Sequence, residues 1–372
     1  MKFINRKSPF INLLRSIQNR VRSRFFCYSD LLKDVMCFVK GGLALRREGA
    51  TPPAAYSAMR RLYCKSNGRF NDYVSAIIKV LHPPKKIKIG NSVLGKLSNR
   101  DLKSIAKSIS EQGYHIFDAR LSESKTTAIV DFARSIPSQA LRTGDDVKIG
   151  AYADELLPYP SHPVESPKYN IRREDMVQNE TIQKLLVDDG ILAVAQKYLG
   201  CTPILDLIAM WWSKPFQGKA STEAAQLYHF DMDRIKFIKF FFYLTDVTPE
   251  TGPHCYVAGS RKRKPQQILR DGRISDDEIA KYYQKEQMLE ICGKKGTILA
   301  VDTRGWHKGK ALTEGERLLL QFEFANSMMG QVYDKIEVPE NVDSNFLKHI
   351  YNNRRTFQEI NIVPSSPDKA AS

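Results

Sequence analysis

The stretch from residue 202 to residue 325 is a succession of short β-forming runs, and this limits the possible folds more than any other feature of the chain. The runs are rich in Val, Ile, Leu, Phe and Trp, and Gly, Pro, Asp and Thr bound them. Several such strands in a row are typical of a sandwich or barrel, so we expect a mainly β core with flanking helices (α+β). The predicted strands are TPILDLIAMWWSKP, QLYHFDMD, FIKFFFYLTDV, HCYVAGS, KGTILAVDT and RLLLQFEFA.

The rest of the chain is divided around that core. Residues 1–90 are predicted to form a basic, mostly helical extension, because the double proline of HPPKK stops a helix near its end. Residues 91–335 are the predicted main domain, in which helices capped by Ser or Asn precede the strands and residues 261–290 form a lid-like insertion. Residues 336–372 are predicted to be a C-terminal helix and a disordered tail.

Positive charge is concentrated in the N-terminal quarter. The 372 residues carry a formal net charge of +16, but residues 1–90 hold 19 Lys and Arg against 4 Asp and Glu. The remainder of the chain is therefore close to neutral. This pattern indicates a local basic region and does not favour nucleic acid as a partner of the whole protein.

The first 29 residues contain no acid and carry apolar residues at helical spacing. Three interpretations remain open: an amphipathic helix that packs on the domain, an interfacial helix that rests on anionic lipid, and an organelle transit peptide. An anionic membrane surface or a protein is thus a candidate partner of this region. The apolar residues are Phe10, Leu13, Leu14, Ile17 and Val21, and the basic residues among or beyond them are Arg15, Arg20, Arg22 and Arg24.

The chain has no apolar run near the roughly 20 residues that cross a membrane, and no export signal is recognisable. Its cysteines form no CxxC pair and no zinc-like spacing, which predicts reduced thiols. We therefore expect a cytoplasmic protein, with organelle targeting by the acid-free N-terminus left open. The cysteines are Cys27, Cys37, Cys64, Cys201, Cys255 and Cys292.

The segment YHFDMDRIKFIKFFFYL places a polar triplet in front of an aromatic run and contains two candidate metal ligands. Residues two apart on a strand point to the same face, so His229 and Asp231 are predicted to project together. His307, which follows a later strand and a Gly turn, is the candidate third ligand. Two histidines and one carboxylate on one face of a metal are typical of non-haem Fe(II) oxygenases. Arg317, at the start of the next strand, has the fork geometry that binds a carboxylate.

Several longer stretches together resemble the phytanoyl-CoA dioxygenase-like branch of the Fe(II)/2-oxoglutarate oxygenases, over residues 100–330. The resemblance implies a double-stranded β-helix, a cupin-like jelly roll with helices packed outside it. The stretch LTDVTPETGPHCYVAGS is similar to a family segment that ends in Gly-Ser-His. The other stretches that carry the resemblance are EQGYHIFDARLS, YLGCTPILDLIAMWW, HFD and GTILAVDTRGWHKGKALTEGERLLLQFEF.

The same resemblance implies roles for individual residues. His229, Asp231 and His307 would hold Fe(II) and would be catalytic through it, and Arg317 would bind the distal carboxylate of the cosubstrate 2-oxoglutarate. Related halogenases have a small residue in place of the carboxylate, which leaves room for chloride, so an Asp favours hydroxylation or another oxidation. The remaining residues implied in cosubstrate binding are Trp211, Phe241 and Lys239.

Two positions depart from the family pattern. Leu318–Leu320 follow the arginine where the family commonly has a small hydroxyl residue, and Arg261 stands where the family has the His of Gly-Ser-His. These departures concern the cosubstrate pocket and the anchoring of a loop, not the metal ligands. Two further polar residues are given minor roles: Asp233 is interpreted as a solvated residue or an acceptor beside the ligands, and His254 as a turn residue.

The resulting prediction is an Fe(II)- and 2-oxoglutarate-dependent dioxygenase that consumes O₂ and hydroxylates a small organic or lipid-like molecule, with release of succinate and CO₂. No residue pattern identifies the substrate site, but the irregular segments 141–175 and 261–290 are the candidates for selecting the substrate. The alternative is a non-catalytic jelly-roll scaffold whose basic N-terminal region binds membrane, RNA or a protein partner. The intact set of metal ligands favours the enzyme.

Overall fold

The computed structural model describes residues 9–143, 150–159, 166–216 and 224–364, with the side chains of its first helix described from Ser29 onward. The predicted β core with flanking helices is confirmed. The helices are α1 (Pro9–Glu48), α2 (Pro53–Ser66), α3 (Arg69–Leu81), α4 (Asn99–Gln112), α5 (Glu123–Ser135), α6 (Arg173–Met176), α7 (Glu180–Leu186), α8 (Asp189–Leu199), α9 (Asp276–Ala280) and α10 (Ser344–Asn352). The strands are β1 (Tyr114–Arg120), β2 (Gln139–Ala140), β3 (Lys168–Ile171), β4 (Ile204–Ser213), β5 (Phe237–Tyr243), β6 (His254–Val257), β7 (Met288–Ile291), β8 (Thr297–Val301), β9 (His307–Gly309), β10 (Arg317–Ala325), β11 (Ile336–Pro339) and β12 (Ile360–Val363).

The helices beside the core begin and end at the predicted capping residues. The Ser98 hydroxyl accepts a hydrogen bond from the backbone N–H of Asp101, and the Asp101 carboxylate accepts one from the N–H of Ser98, so this capping box satisfies two donors of α4. Gly113 ends α4 with a φ of 97°, a conformation that favours glycine. A Cβ there would also lie 2.0 Å from the Tyr256 hydroxyl. Gly200 ends α8 in the same left-handed conformation.

Two antiparallel sheets form the double-stranded β-helix. The larger sheet has the strand order β1-β8-β5-β10-β4-β3-β2, and the smaller one has the order β7-β6-β9. Strand β10 lies inside the larger sheet, where Arg317 pairs with Ser213 of β4 and Leu319 pairs with Tyr243 of β5. Strands that are far apart in the chain are therefore neighbours, as the jelly-roll prediction requires. A separate parallel pair, β11-β12, lies near the C-terminus.

The aromatic run of β5 supplies both layers of the core. All residues of β5 are buried. Phe240 and Phe242 belong to the core that the larger sheet shares with α4, α5, α7 and α8, whereas Phe241 and Tyr243 belong to a cluster that includes Tyr256 of the smaller sheet. This alternation follows from the two-residue period of a strand. The phenylalanine run therefore reflects a strand that is covered on both faces.

Helices α2 and α3 are packed on the main domain. Met59 is fully buried in a cluster with Ile235, and the Asn71 side-chain amide donates a 3.1 Å hydrogen bond to the Ile235 carbonyl. The Tyr63 hydroxyl donates to the carbonyl of Arg304 at 3.2 Å. Although they lie inside the predicted 1–90 extension, these helices form part of the domain surface behind the loop that carries His307.

The prediction of a strand at QLYHFDMD is wrong. Within it, Tyr228 and His229 make only isolated bridges, and β5 starts at Phe237. The chain bends in between, and the buried Arg234 holds this bend by an ion pair to Asp206 (Nε to Oδ2, 2.6 Å). The polar triplet therefore lies in an irregular segment that leads into β5, not on the strand itself.

The insertion at 261–290 is anchored by its own apolar side chains. The predicted helix over DDEIAKYYQKEQ is reduced to α9 and a short 3₁₀ turn at Lys285–Gln287. Its role as a lid stays a prediction. The insertion residues buried in one cluster with Tyr228, Phe230 and Trp306 are Ile268, Leu269, Ile274 and Ile279.

The ends of the chain and the cysteines agree with the sequence where they are described. Helix α10 confirms the predicted C-terminal helix, whereas the tail predicted to be disordered falls mostly on residues 365–372, outside the described residues. No described helix is long and apolar enough to cross a membrane. The side chain of Cys27 is outside the described part, and the free cysteines found elsewhere are Cys37, Cys64, Cys201, Cys255 and Cys292.

Candidate metal centre

The predicted metal ligands are brought together by pairing of two chain segments. The backbone N–H of His229 donates to the carbonyl of His307 at 3.0 Å, and the N–H of His307 donates to the carbonyl of His229 at 2.9 Å. Two residues on, the N–H of Asp231 donates to the carbonyl of Thr303 at 2.9 Å. The segment before β5 is therefore fastened to the turn before β9, and the three side chains meet at this junction.

The donor atoms of the three side chains have the spacing of a metal site. One ligand atom from each of His229, Asp231 and His307 lies within 4.8 Å of the others. The two carboxylate oxygens of Asp231 lie 3.6 Å from Nε2 of His229 and 3.5 Å from Nε2 of His307. All three side chains are largely buried, so an ion held between them would be mostly shielded from water.

The hydrogen bonds of the two imidazoles leave the correct nitrogen free for a metal. Nδ1 of His229 lies 2.9 Å from the carbonyl oxygen of Leu227, and Nδ1 of His307 lies 3.0 Å from that of Gly305. A carbonyl can only accept, so each Nδ1 carries the proton and each Nε2 keeps its lone pair. Such backing of a metal-binding imidazole by a carbonyl is usual in metalloproteins.

The protonation states also suit a divalent cation. Burial lowers the pKa of His229 to about 4 and lowers the pKa of His307 well below its usual value. Burial alone would raise the pKa of Asp231, but the nearby ammonium of Lys239 outweighs it and holds this pKa well below its usual value. At neutral pH the site therefore offers two neutral imidazoles and one carboxylate, which is the ligand set that Fe(II) takes in non-haem oxygenases.

The ligands open into a cavity of about 210 Å³. The cavity is lined by the three ligands and by all the residues predicted to bind the cosubstrate. The roles of these residues stay predictions, but their placement in one cavity next to the metal ligands is what the prediction requires. The predicted cosubstrate residues in the lining are Trp211, Lys239, Phe241 and Arg317.

Arg317 offers a buried positive charge to an anion. Its side chain is 6 % exposed, and its NH2 donates a 3.2 Å hydrogen bond to the hydroxyl of Ser213. Among the described residues, nothing accepts from its Nε. A buried guanidinium with a free donor is suited to a carboxylate. Sequence reasoning missed Ser213, whose hydroxyl stands beside the guanidinium although Leu318–Leu320 follow the arginine, because only the pairing of β4 with β10 reveals it.

Lys239 contacts a metal ligand directly. Its Nζ lies 2.7 Å from Oδ2 of Asp231, 3.4 Å from Asp233 and 3.4 Å from Glu323. Glu323 is fully buried, and burial raises its pKa well above the usual value. Lys239 is thus the cation of a buried acidic group behind the ligands, and its contact with 2-oxoglutarate remains a prediction. Asp233 fits the second of its two interpretations, because it accepts from Lys239 next to the ligands.

His254 was wrongly interpreted as a turn residue. It starts β6, is buried and lines the cavity. Its ring centroid lies 5.5 Å from that of His307 and 5.1 Å from that of Phe241, and its Nε2 has no hydrogen-bond partner within the described part of the chain. Burial, followed by the charge of Arg317, lowers its pKa to about 3, so the ring is neutral. No local sequence signal separates it from an ordinary histidine after a Gly-Pro pair.

The residue that departs from Gly-Ser-His has a structural partner. The guanidinium of Arg261 donates to the carboxylate of Asp302 at 3.0 Å and to that of Asp72 at 3.2 Å. Asp302 is also bonded by Arg304, at 2.7 Å. Arg261 therefore ties the end of β6 to the turn before His307 and to α3, so this loop is anchored by an ion pair.

Comparison with known proteins gives a family match. The model of the family described as phytanoyl-CoA dioxygenase (PhyH) matches residues 109–318. No curated protein sequence matches the chain.

Solved structures of low sequence identity are also similar. The non-heme alpha ketoglutarate dependent carbocyclase SnoK from nogalamycin biosynthesis is 17 % identical, with a TM-score of 0.44 over 63 % of this chain and 86 % of that one. EctD from S. alaskensis, with 2-oxoglutarate and 5-hydroxyectoine, is 16 % identical, with a TM-score of 0.46 over 76 % and 99 % of the two chains. HygX from Streptomyces hygroscopicus, with nickel, 2-oxoglutarate and hygromycin B bound, is 14 % identical, with a TM-score of 0.40 over 67 % and 94 %.

Proposed function

The chain belongs to the phytanoyl-CoA dioxygenase family and is a 2-oxoglutarate-dependent dioxygenase, and on this basis we propose that it hydroxylates a small organic or lipid-like substrate. Its cofactor is Fe(II), with 2-oxoglutarate and O₂ as cosubstrates. In the proposed reaction one oxygen atom of O₂ enters a C–H bond of the substrate as a hydroxyl. The other oxygen atom enters 2-oxoglutarate, which loses CO₂ and becomes succinate.

We assign the iron to His229, Asp231 and His307. The observation that carries this assignment is the convergence of three donor atoms within 4.8 Å, with both imidazole Nε2 lone pairs directed away from their carbonyl partners. The ligands occupy one face, so open coordination positions remain for the cosubstrates. When bound, the iron supplies the redox chemistry that couples decarboxylation of 2-oxoglutarate to oxidation of the substrate.

The other residues of the cavity bind, orient and shield. Arg317 clamps the distal carboxylate of 2-oxoglutarate, because its buried guanidinium has a free Nε donor. His254 is neutral and has an unpaired Nε2 in the same cavity, so it can hydrogen-bond to a cosubstrate or substrate oxygen. Phe241 and Trp211 cover the apolar side of the cavity, which limits access of water to the reacting atoms. Lys239 holds Oδ2 of Asp231 and so orients the carboxylate.

The cavity walls suggest where substrate selection takes place. From the two segments predicted to select the substrate, Pro167 and Lys168 of 141–175 line the cavity. No described residue of 261–290 does so. Ala225 and Gln226 form another part of the wall. We therefore assign substrate selection to the start of β3 and to the segment around residues 224–226 before the insertion.

The proposal is tested by turnover of 2-oxoglutarate. Purified protein with Fe(II), 2-oxoglutarate, ascorbate and O₂ should form succinate, measured by mass spectrometry, at a rate that a true substrate increases. His229→Ala and Asp231→Ala should abolish this activity, and His82→Ala, which changes an exposed histidine, should leave it unchanged. Absence of succinate from wild-type protein that binds the metal, or full activity in His229→Ala, would overturn the assignment.

A further inference from the structure

Helix α1 exposes a stripe of large apolar side chains. Leu32 is 62 % exposed, Met36 59 %, Val39 54 % and Leu43 66 %. Their spacing of four, three and four residues places them on one face of a helix with 3.6 residues per turn. Side chains of this size on a single face, each more than half exposed, form a continuous apolar surface and not scattered exceptions. We call these four residues the α1 stripe.

The opposite face of α1 is the one that packs on the domain. Asp34 is buried and its carboxylate accepts hydrogen bonds from Arg61 (2.7 Å) and Lys65 (2.9 Å) of α2. Gly41 is buried so closely that an added Cβ would lie 2.1 Å from the Cβ of Ala55. The interpretation of an amphipathic helix whose apolar side covers its own domain is therefore wrong for the described side chains. The α1 stripe points away from the protein.

The spacing of the α1 stripe continues through the earlier part of the sequence. Val21, Leu32 and Leu43 are separated by steps of 11 residues. Eleven residues in three turns give about 3.67 residues per turn, which is close to the 3.6 of a straight helix, so such a pattern drifts little around the axis. From the first to the last apolar position the pattern would cover about 50 Å at 1.5 Å per residue. The earlier apolar residues at this spacing are Phe10, Leu14, Ile17, Val21, Phe25 and Tyr28.

Basic residues accompany the stripe. Lys33 and Lys40 are exposed and each directly follows a stripe residue, so each lies about 100° round the helix, at the edge of the stripe. Their aliphatic stems can lie along an apolar layer while the ammonium groups reach its polar boundary. Residues 1–29 hold seven Lys and Arg and no acid, and Asp34 is turned towards α2.

We propose that the α1 stripe binds the surface of an anionic lipid bilayer, with α1 lying in the plane of the interface. An apolar face flanked by basic residues on a helix too polar to cross a membrane is the pattern of interfacial helices. A second copy of the chain fits less well, because pairing of two stripes would bring the Lys33 and Lys40 edges of both copies together. A transit peptide in the first 29 residues leaves Leu32, Met36, Val39 and Leu43 unexplained.

The test is vesicle co-sedimentation of the full chain. Vesicles of phosphatidylcholine alone are compared with vesicles of phosphatidylcholine and phosphatidylserine, at low and high salt. The stripe variant carries Leu32→Ser, Met36→Ser, Val39→Ser and Leu43→Ser. The matched control variant changes four exposed apolar residues elsewhere: Ile116→Ser, Tyr282→Ser, Val332→Ser and Tyr351→Ser.

The charge contribution is tested in the same assay. The pair Lys33→Glu and Lys40→Glu removes the basic edge, and the pair Lys281→Glu and Lys285→Glu, which changes exposed lysines of the insertion, is its control. Because all these positions are exposed, thermal unfolding should be little altered, and it shows that each variant is folded.

We expect wild type and both controls to bind the anionic vesicles and to bind neutral vesicles more weakly. The stripe variant should lose at least about tenfold in partition coefficient, and the Lys33/Lys40 variant should lose the preference for anionic vesicles and its salt dependence. Equal binding of wild type and stripe variant, or no binding of wild type to anionic vesicles, would overturn the proposal. Loss of a dimer in the stripe variant, measured by light scattering, with unchanged vesicle binding would assign the stripe to a second copy instead.

Discussion

His229 and His307 are hydrogen-bonded to each other through their backbones in both directions, at 3.0 and 2.9 Å. The two ligand-bearing segments are therefore joined whether or not a metal links their side chains. Each imidazole is in addition oriented by a carbonyl two residues before it. The site is organised by the backbone before any ion binds, which lowers the conformational entropy lost on metal binding.

Replacing His307 by Ala should remove metal binding without unfolding the protein. The backbone pair with His229 is unaffected by the substitution, whereas one of three metal donors is lost. We expect the affinity for Mn²⁺ or Co²⁺, measured by calorimetry, to fall by at least about 100-fold, with an unchanged far-UV circular dichroism spectrum. Metal affinity equal to that of wild type would remove His307 from the ligand set.

Replacing Arg317 by Met should weaken 2-oxoglutarate binding more than it affects the metal. A charge-assisted hydrogen bond is worth about 1.5–3 kcal/mol, so the KM for 2-oxoglutarate should rise by about 10- to 100-fold. Ser213→Ala removes one neutral neighbour of the guanidinium and should raise the KM only a few-fold. The contrary result would be an unchanged KM in Arg317→Met, measured by succinate formation at varied 2-oxoglutarate.

Replacing Lys239 by Met should destabilise the metal-free protein. It would leave the buried Glu323, together with Asp233 and Asp231, without the cation that they share. Breaking a buried ion pair costs about 3–5 kcal/mol of unfolding free energy, measured by urea denaturation. Adding Glu323→Gln should recover part of the loss, because it removes one stranded charge. If the two changes are additive, Lys239 and Glu323 are not coupled.

Replacing Gly305 by Ala should disturb the turn that precedes His307. An added Cβ would lie 1.9 Å from the hydroxyl of the buried Tyr256, which itself donates to the carbonyl of Asp302 at 2.8 Å. Such overpacking costs about 1–3 kcal/mol and should also weaken metal binding. The matched control is Gly42→Ala on α1, where nothing lies within 4 Å of the new Cβ; it should be neutral or stabilise by about 1 kcal/mol. Equal unfolding midpoints for the two variants would contradict this account.

The unfolding free energy should depend on pH through Lys264. Burial against the rings of Tyr63 and Phe230 lowers its pKa from 10.5 to about 7. The unfolded chain therefore keeps a proton that the folded chain releases between pH 7 and 10.5, and stability should increase with pH in this window. The contribution is at most about 1.4 kcal/mol per pH unit. Lys264→Met should flatten the profile, the exposed Lys262→Met should not, and an unchanged slope in Lys264→Met would refute the cause.

The metal ligands could be predicted from the sequence because each lies next to a recognisable local pattern. His229 and Asp231 precede an aromatic run, and His307 follows a strand and a Gly turn. Ser213 and His254 could not be found in this way, since their functional neighbours are fixed by strand register and by the packing of the two sheets. Local patterns carry no information on such long-range pairing.

The errors in secondary structure have the same origin. The segment QLYHFDMD has the alternating residues of a strand, but the buried ion pair of Arg234 with Asp206 bends the chain there. The helix expected in the insertion is reduced to α9, and Ile279 in it is buried against the domain. In both places tertiary contacts outweigh local propensity.

The grip of α2 on α1 has a geometric consequence. Asp34 is held by Arg61 and Lys65, and Gly41 leaves no space against Ala55, so α1 cannot roll about its own axis without breaking these contacts. Any support beneath Leu32–Leu43 would therefore set the tilt and azimuth of the whole molecule. The entrance beside Lys168 would keep one bearing and one height above that support, as on an instrument bolted to its mount.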